Sequence, residues 1–372
     1  MITLAKPYIT EDEIELVTEV LRSGILSLGP KLKEFENKFA QEIGTKFAIG
    51  VNSGTSGLHL CIRALGIKEG DEVITTPFSF VASSNCILYE KAKPVFVDVE
   101  EDTFNINPEL IEAAITPRTK AILVAHIFGQ SCNMNRIMDI ARKYNLKVIE
   151  DACESINATH FGKKVGTFGD VAVFAFYPNK QMTTGEGGMI ITDNEQIYNY
   201  CKSAANQGRS NDMQWLTHDK LGYNYRIDEL SAAVGLAQLS KIDFLLTRRQ
   251  SLARKYIDKL IGVERIILPT IREGNTSTWF VFPIRVNHNI RDKLIQKLNE
   301  NGIQSKAYFY PCIHLQPFYR KEFGYIDNSF PVAEKLSKET VILPFHISLT
   351  DMQVELVTNT VKKCLNELGG FE

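Results

Sequence analysis

Two side chains able to do chemistry together stand at the ends of separate apolar runs. KVIED (147–151) ends on two carboxylates, and VAVFAFYP (171–178) runs through Asn179 into Lys180. Both runs are continuous rather than alternating, the pattern of strands buried on both faces. In an open α/β sheet the carboxyl ends of such strands line the ligand crevice. An acid and an amine far apart in sequence would then meet there. Two readings of Asp151 and Lys180 stand side by side. One is a salt bridge. The other is pyridoxal 5'-phosphate, with Lys180 as the Schiff-base amine and Asp151 as the partner of the pyridinium nitrogen.

A third group bears on the choice. FAIGVNS (47–53) reads as a strand, and GTSGLHLCIRAL opens a helix directly after it. Free backbone N–H groups and the positive end of the helix face one point there, an anion-binding arrangement to which Thr55 and Ser56 add hydroxyls. A simple cap by Ser53 or Thr55 explains the same residues. The chain has no GxxxxGK[ST] loop and no GxGxxG after a strand, which argues against a nucleotide P-loop and a nicotinamide oxidoreductase. After Lys180 comes TTGEGG, where Gly185, Gly187 and Gly188 allow backbone close to a bulky ligand. An ordinary turn would use the same glycines.

The elements that must position these groups alternate. Further strands are read in EVITTP (72–77), KPVFVDV (93–99), AILVAHIFG (121–129) and GMIITD (188–193), with helices between them. This predicts a mostly parallel sheet with helices on both faces. Thr10 with Glu13 has capping-box spacing for a helix running to Arg22 and ended by Gly24. Leu32, Phe35, Phe39 and Ile43 form a core-facing helical stripe. His126 reads as a hydrogen-bonded core histidine. A helix is expected near Tyr198, then a polar loop through NQGR and NDMQW, then a long helix from Asp228. Beyond Phe244 a smaller domain is expected. It contains TWFVFPIRV (278–286) as an alternating, half-buried strand, a helix from Asn289 to Glu300, and a last helix capped by Thr350 and Gln353.

EDACES, GTFGDVAVFAFYPNK and TTGEGGMIITD together resemble the signature block of the DegT/DnrJ/EryC1/StrS aminotransferases, and the likeness runs from KPYITEDEI to YFYPCIHLQPFY. The resemblance implies an aspartate-aminotransferase-like fold (type I). Residues 1–243 would hold a mostly parallel seven-stranded sheet and residues 244–372 a smaller α+β domain, with the N-terminal helix able to pack on the latter. It implies pyridoxal phosphate held by Lys180 and Asp151, its phosphate by Gly54, Thr55 and Ser56, and Phe80 stacked over its ring. Asn224, in GYNYR, would reach the cofactor phosphate of the neighbouring subunit, making a homodimer with shared sites obligatory. Tyr308, Tyr310 and His314 would contact sugar, or form a packed aromatic edge. Two positions depart from the family pattern. Glu154 stands where glutamine or histidine usually faces the ring's phenolic oxygen, and Ala175 stands where a serine often donates to the phosphate.

The implied reaction is transfer of an amino group, with glutamate as donor, to a keto group of a nucleotide-linked deoxysugar. An amino-cyclitol acceptor, a sugar dehydratase and a non-catalytic regulatory relative are the alternatives. The dehydratase branch usually has histidine at the position of Lys180. The 372 residues carry a net charge of −2, which supplies no basic field for nucleic acid or anionic membrane. No apolar run reaches membrane-spanning length. Seven scattered cysteines without a CxxC pair suit reduced thiols rather than a zinc site or disulfide frame. The first residues lack signal-peptide character, so a cytoplasmic location is expected.

Overall fold

The computed structural model describes residues 1–210 and 217–369. The NDMQW stretch (211–215) lies outside them. Eleven strands are present among the described residues: β1 (Phe47–Val51), β2 (Glu72–Thr75), β3 (Lys93–Phe96), β4 (Thr119–Ala125), β5 (Lys147–Asp151), β6 (Thr159–His160), β7 (Lys163–Lys164), β8 (Val171–Ala175), β9 (Gly188–Thr192), β10 (Phe282–Arg285) and β11 (Thr340–Leu343). Seven form one sheet in the order β1-β9-β8-β5-β4-β2-β3. Its pairings from β8 through β5, β4 and β2 to β3 are parallel, and β9 runs antiparallel to both β8 and β1. The expected mostly parallel seven-stranded sheet is therefore present.

The continuous apolar runs are buried as their pattern requires. Val148 to Asp151 and Val171 to Phe174 are all buried. One face of the sheet packs on the helices Gly54–Ala64 and Glu195–Ala205, through Leu58, Ile62, Val173, Ile190 and Cys201. Another cluster gathers the stripe Phe35, Phe39 and Ile43 from the helix Pro30–Ile43 with Phe174, Phe176 and Ile191. Burial of side chains this large stabilises each by roughly 1.5–3 kcal/mol.

The smaller lobe has its own core of Tyr256, Phe282, Leu294, Val341, Val357 and Val361 around the antiparallel pair β10–β11. Here the expected strand is corrected. It is confined to Phe282–Arg285, and all four residues are buried rather than alternating: Phe282 and Ile284 enter the helical core, and Arg285 on the other face is held by Glu101 and Glu339. The helix Ile242–Leu260 joins the lobes: Ile242 and Leu245 pack with the sheet cluster, and Leu252, Tyr256 and Leu260 with the smaller core. The N-terminal helix Glu11–Ser23, with Glu13 Oε2 accepting from the Thr10 amide at 2.7 Å, lies against the helix Glu229–Ser240. The residues before it meet the smaller lobe instead. Ile2 bridges to Ile303, Leu4 donates to Gln304 (2.8 Å), and the Phe345 amide donates to Leu4 (2.9 Å). Among the described residues no single helix is long and apolar enough to cross a membrane.

Candidate active site

A cavity of about 1350 Å³ opens at the carboxyl ends of β4, β5 and β8. Asp151, the last residue of β5, and Lys180, in the loop after β8, both line it. The sheet brings them to one cavity because β5 and β8 are adjacent and parallel, with Asp151 opposite Val173. Asp151 is held from behind. Its Oδ2 accepts from Ser83 Oγ at 2.7 Å, Ser83 Oγ lies 2.8 Å from Ser79 Oγ, and its Oδ1 accepts from the Cys153 amide at 3.2 Å. These bonds orient the carboxylate while leaving it on the cavity wall.

Lys180 is not paired with Asp151 within ion-pair distance. Its ammonium lies 3.6 Å from Glu154 Oε1 and 4.1 Å from the centre of the Phe280 ring. Glu154 is buried, and its Oε2 accepts from the Phe128 amide at 3.0 Å. Burial pushes the Glu154 carboxyl above its usual range, against the pull of Lys180 and the Phe128 amide. Arg249, buried under this corner, donates to the carbonyls of Trp279 (3.0 Å), Phe280 (3.2 Å) and Lys180 (3.3 Å). Desolvation pulls its guanidinium down to about 10.

The third group is the N-terminus of the helix Gly54–Ala64. Ser53, Gly54 and Thr55 line the cavity. Ser53 is the cap, its Oγ accepting from the Ser56 amide at 3.1 Å. The Ser56 hydroxyl donates to Asn52 Oδ1 at 2.6 Å and stands behind the wall, so this residue supports the turn rather than lining the cavity. Glycine is required at two points. A Cβ on Gly54 would lie 2.8 Å from the Ala175 side chain, and one on Gly188 would lie 2.8 Å from the Gly54 nitrogen. Backbone is thereby brought against the helix start.

A family model, the DegT/DnrJ/EryC1/StrS aminotransferase family, matches residues 7–362. The chain belongs to this family. Spore coat polysaccharide biosynthesis protein SpsC of Bacillus subtilis is 38% identical, spanning 96% of this chain and 95% of its own. GDP-perosamine synthase of Escherichia coli O157:H7 is 37% identical, spanning 97% and 98%. NtdA of Bacillus subtilis, solved with bound cofactor PMP, superposes with a TM-score of 0.89 at 33% identity over 96% of this chain and 83% of that one. As a member of this aminotransferase family, the protein is a pyridoxal-phosphate-dependent transaminase. The residues present fit that cofactor: an amine, a carboxylate and an open helix start converge on one cavity.

The remaining family-derived positions separate. Phe80 lines the cavity and is 63% exposed, with its ring free to meet a ligand. Tyr308 and Tyr310 line the opposite wall, from the segment 306–319. His314 does not line it. The ring is fully buried, its Nε2 3.1 Å from Glu334 Oε1, among Phe96, Tyr325 and Phe330. Desolvation lowers its pKa. The expected sugar contact is thus corrected to a packed core histidine. Asn224 is exposed outside the cavity of its own chain, flanked in sequence by Tyr223 and Tyr225, whose rings stack on each other at 4.8 Å. His126 is buried, Nε2 3.0 Å from Glu150 and Nδ1 accepting from the Cys132 amide. Ser79, Ser83 and Lys306 belong to the site but were not singled out from sequence. The i,i+4 spacing of the two serines is the one signal available for the pair. Nothing in the pattern marks Lys306.

Proposed function

We propose that the protein transfers an amino group from an amino acid, glutamate, to a keto group of a nucleotide-activated deoxysugar, for amino-sugar and surface-polysaccharide synthesis. The observation that carries this reading is the convergence of Lys180, Asp151 and the Gly54–Thr55 turn on one cavity large enough for a cofactor and a sugar together. The names of the relatives, a polysaccharide biosynthesis protein and a GDP-perosamine synthase, support the sugar class of the acceptor.

Each residue has a task in this reading. Lys180 holds the cofactor and, once released, carries a proton to and from the substrate carbon through its amine. Asp151 pairs with the ring nitrogen, and Ser83 keeps its carboxylate turned to the cavity. Gly54 and Thr55 bind the phosphate with backbone amides and a hydroxyl, with Ser56 bracing the turn. Phe80 covers one ring face. Glu154 meets the ring's phenolic edge, and burial raises its carboxyl above the usual range, which eases the repulsion between the two. Tyr308 and Tyr310 contact the sugar. Asn224 reaches the phosphate site of a second copy in a homodimer, which operates in the cytoplasm. When bound, pyridoxal phosphate supplies an electron sink for the substrate carbanion.

The test is the visible absorption spectrum of purified protein with pyridoxal phosphate, before and after glutamate. The expected result is a band of lysine-bound cofactor that glutamate bleaches and that Lys180→Ala lacks. A band that survives Lys180→Ala refutes the role of Lys180. A band that no amino acid bleaches refutes the transaminase assignment, and one bleached by another amino acid but not by glutamate refutes the donor.

A further inference from the structure

The cavity wall holds two cationic side chains among the described residues, Lys180 and Lys306, against three carboxylates, Asp151, Glu154 and Glu186. Lys180 is engaged by Glu154. Lys306 is different. It is exposed, no carboxylate stands within 4.0 Å of its ammonium among the described residues, and its nearest ring partner is Tyr308, 5.5 Å away. Tyr308 in turn packs on Phe280, ring centres 6.3 Å apart, and the Lys180 ammonium lies 4.1 Å from the Phe280 ring. Two aromatic side chains therefore stand between the reactive lysine and an uncompensated positive charge.

That spacing matches the shape of a nucleotide-linked ketosugar. Its reacting carbonyl and its diphosphate sit on opposite edges of one sugar ring. A diphosphate brought into a wall with three carboxylates needs a cation to offset repulsion, and Lys180 is reserved for the reacting carbon. Lys306 lines the same cavity as Lys180, and its backbone is tied to β11, its carbonyl accepting from the Ile342 amide at 3.0 Å.

We propose that Lys306 is the residue of this chain that binds the diphosphate of the substrate, and so selects nucleotide-activated sugars over free sugars or cyclitols. This rests on the nucleotide-sugar reading above. An ammonium acts on phosphate as a point charge, so Lys306 sets binding of the diphosphate without discriminating among bases.

The test is calorimetric titration of the cofactor-loaded protein with UDP, GDP and dTDP, for the parent, Lys306→Gln and Lys306→Arg. Lys306 is exposed, so the substitutions leave the fold intact, and cofactor absorbance and circular dichroism check this. The expected result is that at least one nucleotide binds the parent, that Lys306→Gln weakens it roughly tenfold or more, and that Lys306→Arg restores most of the affinity. Added salt should weaken the parent more than Lys306→Gln. Equal binding by the parent and Lys306→Gln overturns the role of Lys306 and leaves the nucleotide-sugar reading standing. Failure of all three nucleotides to bind the parent overturns both.

Discussion

The two walls of the cavity are made in different ways. On the sheet side, each chemical group is fixed by regular structure: Asp151 closes a buried strand, Lys180 lies in the loop between β8 and β9, and Gly54 opens a helix. The groups behind them are buried and hydrogen-bonded, as the Ser79–Ser83–Asp151 chain shows. On the other side, residues 306–319 form an aromatic wall that takes in the helical turn Ile313–Leu315 and the start of the helix Pro317–Phe323, with Lys306 and Tyr310 exposed and Tyr319 fully buried. The first wall is a place for bond-making groups that tolerate little displacement. In the proposed reaction the second recognises the substrate, through exposed side chains such as Lys306 and Tyr310.

If that contrast is right, changes on the sheet side should act on turnover and those on the aromatic side on binding. Lys180→Ala should lower kcat by roughly 10³-fold or more and abolish the lysine-bound cofactor band, read by stopped assays and absorbance. Asp151→Asn should cost about 10²-fold in kcat with the band retained but shifted. Ser83→Ala removes a donor to a carboxylate, and a loss of about tenfold in kcat with KM nearly constant is expected. A loss appearing only in KM would show that Ser83 has no part in orienting Asp151. His314→Ala tests the other wall from its inside. It should lower stability by about 1–3 kcal/mol in thermal melts, because Glu334 loses a buried partner, with KM for the sugar unchanged. A raised KM in a folded His314→Ala protein would return His314 to the sugar site.

The smallest effect lies on the sheet side but away from the cavity. Glu36 accepts from the Gly50 amide of β1 at 2.8 Å, and burial pushes its carboxyl up to about 7 from 4.5. Between those values the folded state binds the extra proton, so the contribution of Glu36 to stability is greatest below pH 4.5 and falls as pH rises to 7. Glu36→Gln should therefore gain about 1–2 kcal/mol over the parent at pH 8 and nothing near pH 4.5, measured as the difference in melting at the two pH values.

How far the sequence could be read follows the same divide. KVIED and VAVFAFYP announce their burial by unbroken apolar character, and strand ends in an open sheet have one predictable direction. The capping-box residues Thr350 and Gln353 carry their structure within four positions, and the structure shows both bonds. TWFVFPIRV misled because its alternation suggests one wet face, whereas Phe282 and Ile284 pack into the helical core and the other face is closed at Arg285 by Glu101 and Glu339. HLQPFY gives no local sign of whether His314 turns inward, since that depends on Glu334 and Phe330 arriving from later in the chain. Ser83 sits in a helix start rich in small residues, and only its distance to Asp151, 68 positions away, gives it meaning. Asn224 does not line the cavity of its own chain, and no local pattern distinguishes it from any polar residue before a helix.

The attachment of Ile2 and Leu4 to the smaller lobe bears on how the protein is made. Leu4 binds Gln304, 300 positions later, and is bound by Phe345. A ribosome delivers these partners roughly 15–60 seconds apart, and the sheet lobe has all seven strands in hand by Thr192. The sheet can thus close during synthesis while Ile2 and Leu4 remain undocked. The aromatic wall of residues 306–319 follows those strands in the chain, so in the proposed reaction the nascent protein holds Lys180 before the wall that would select its substrate exists.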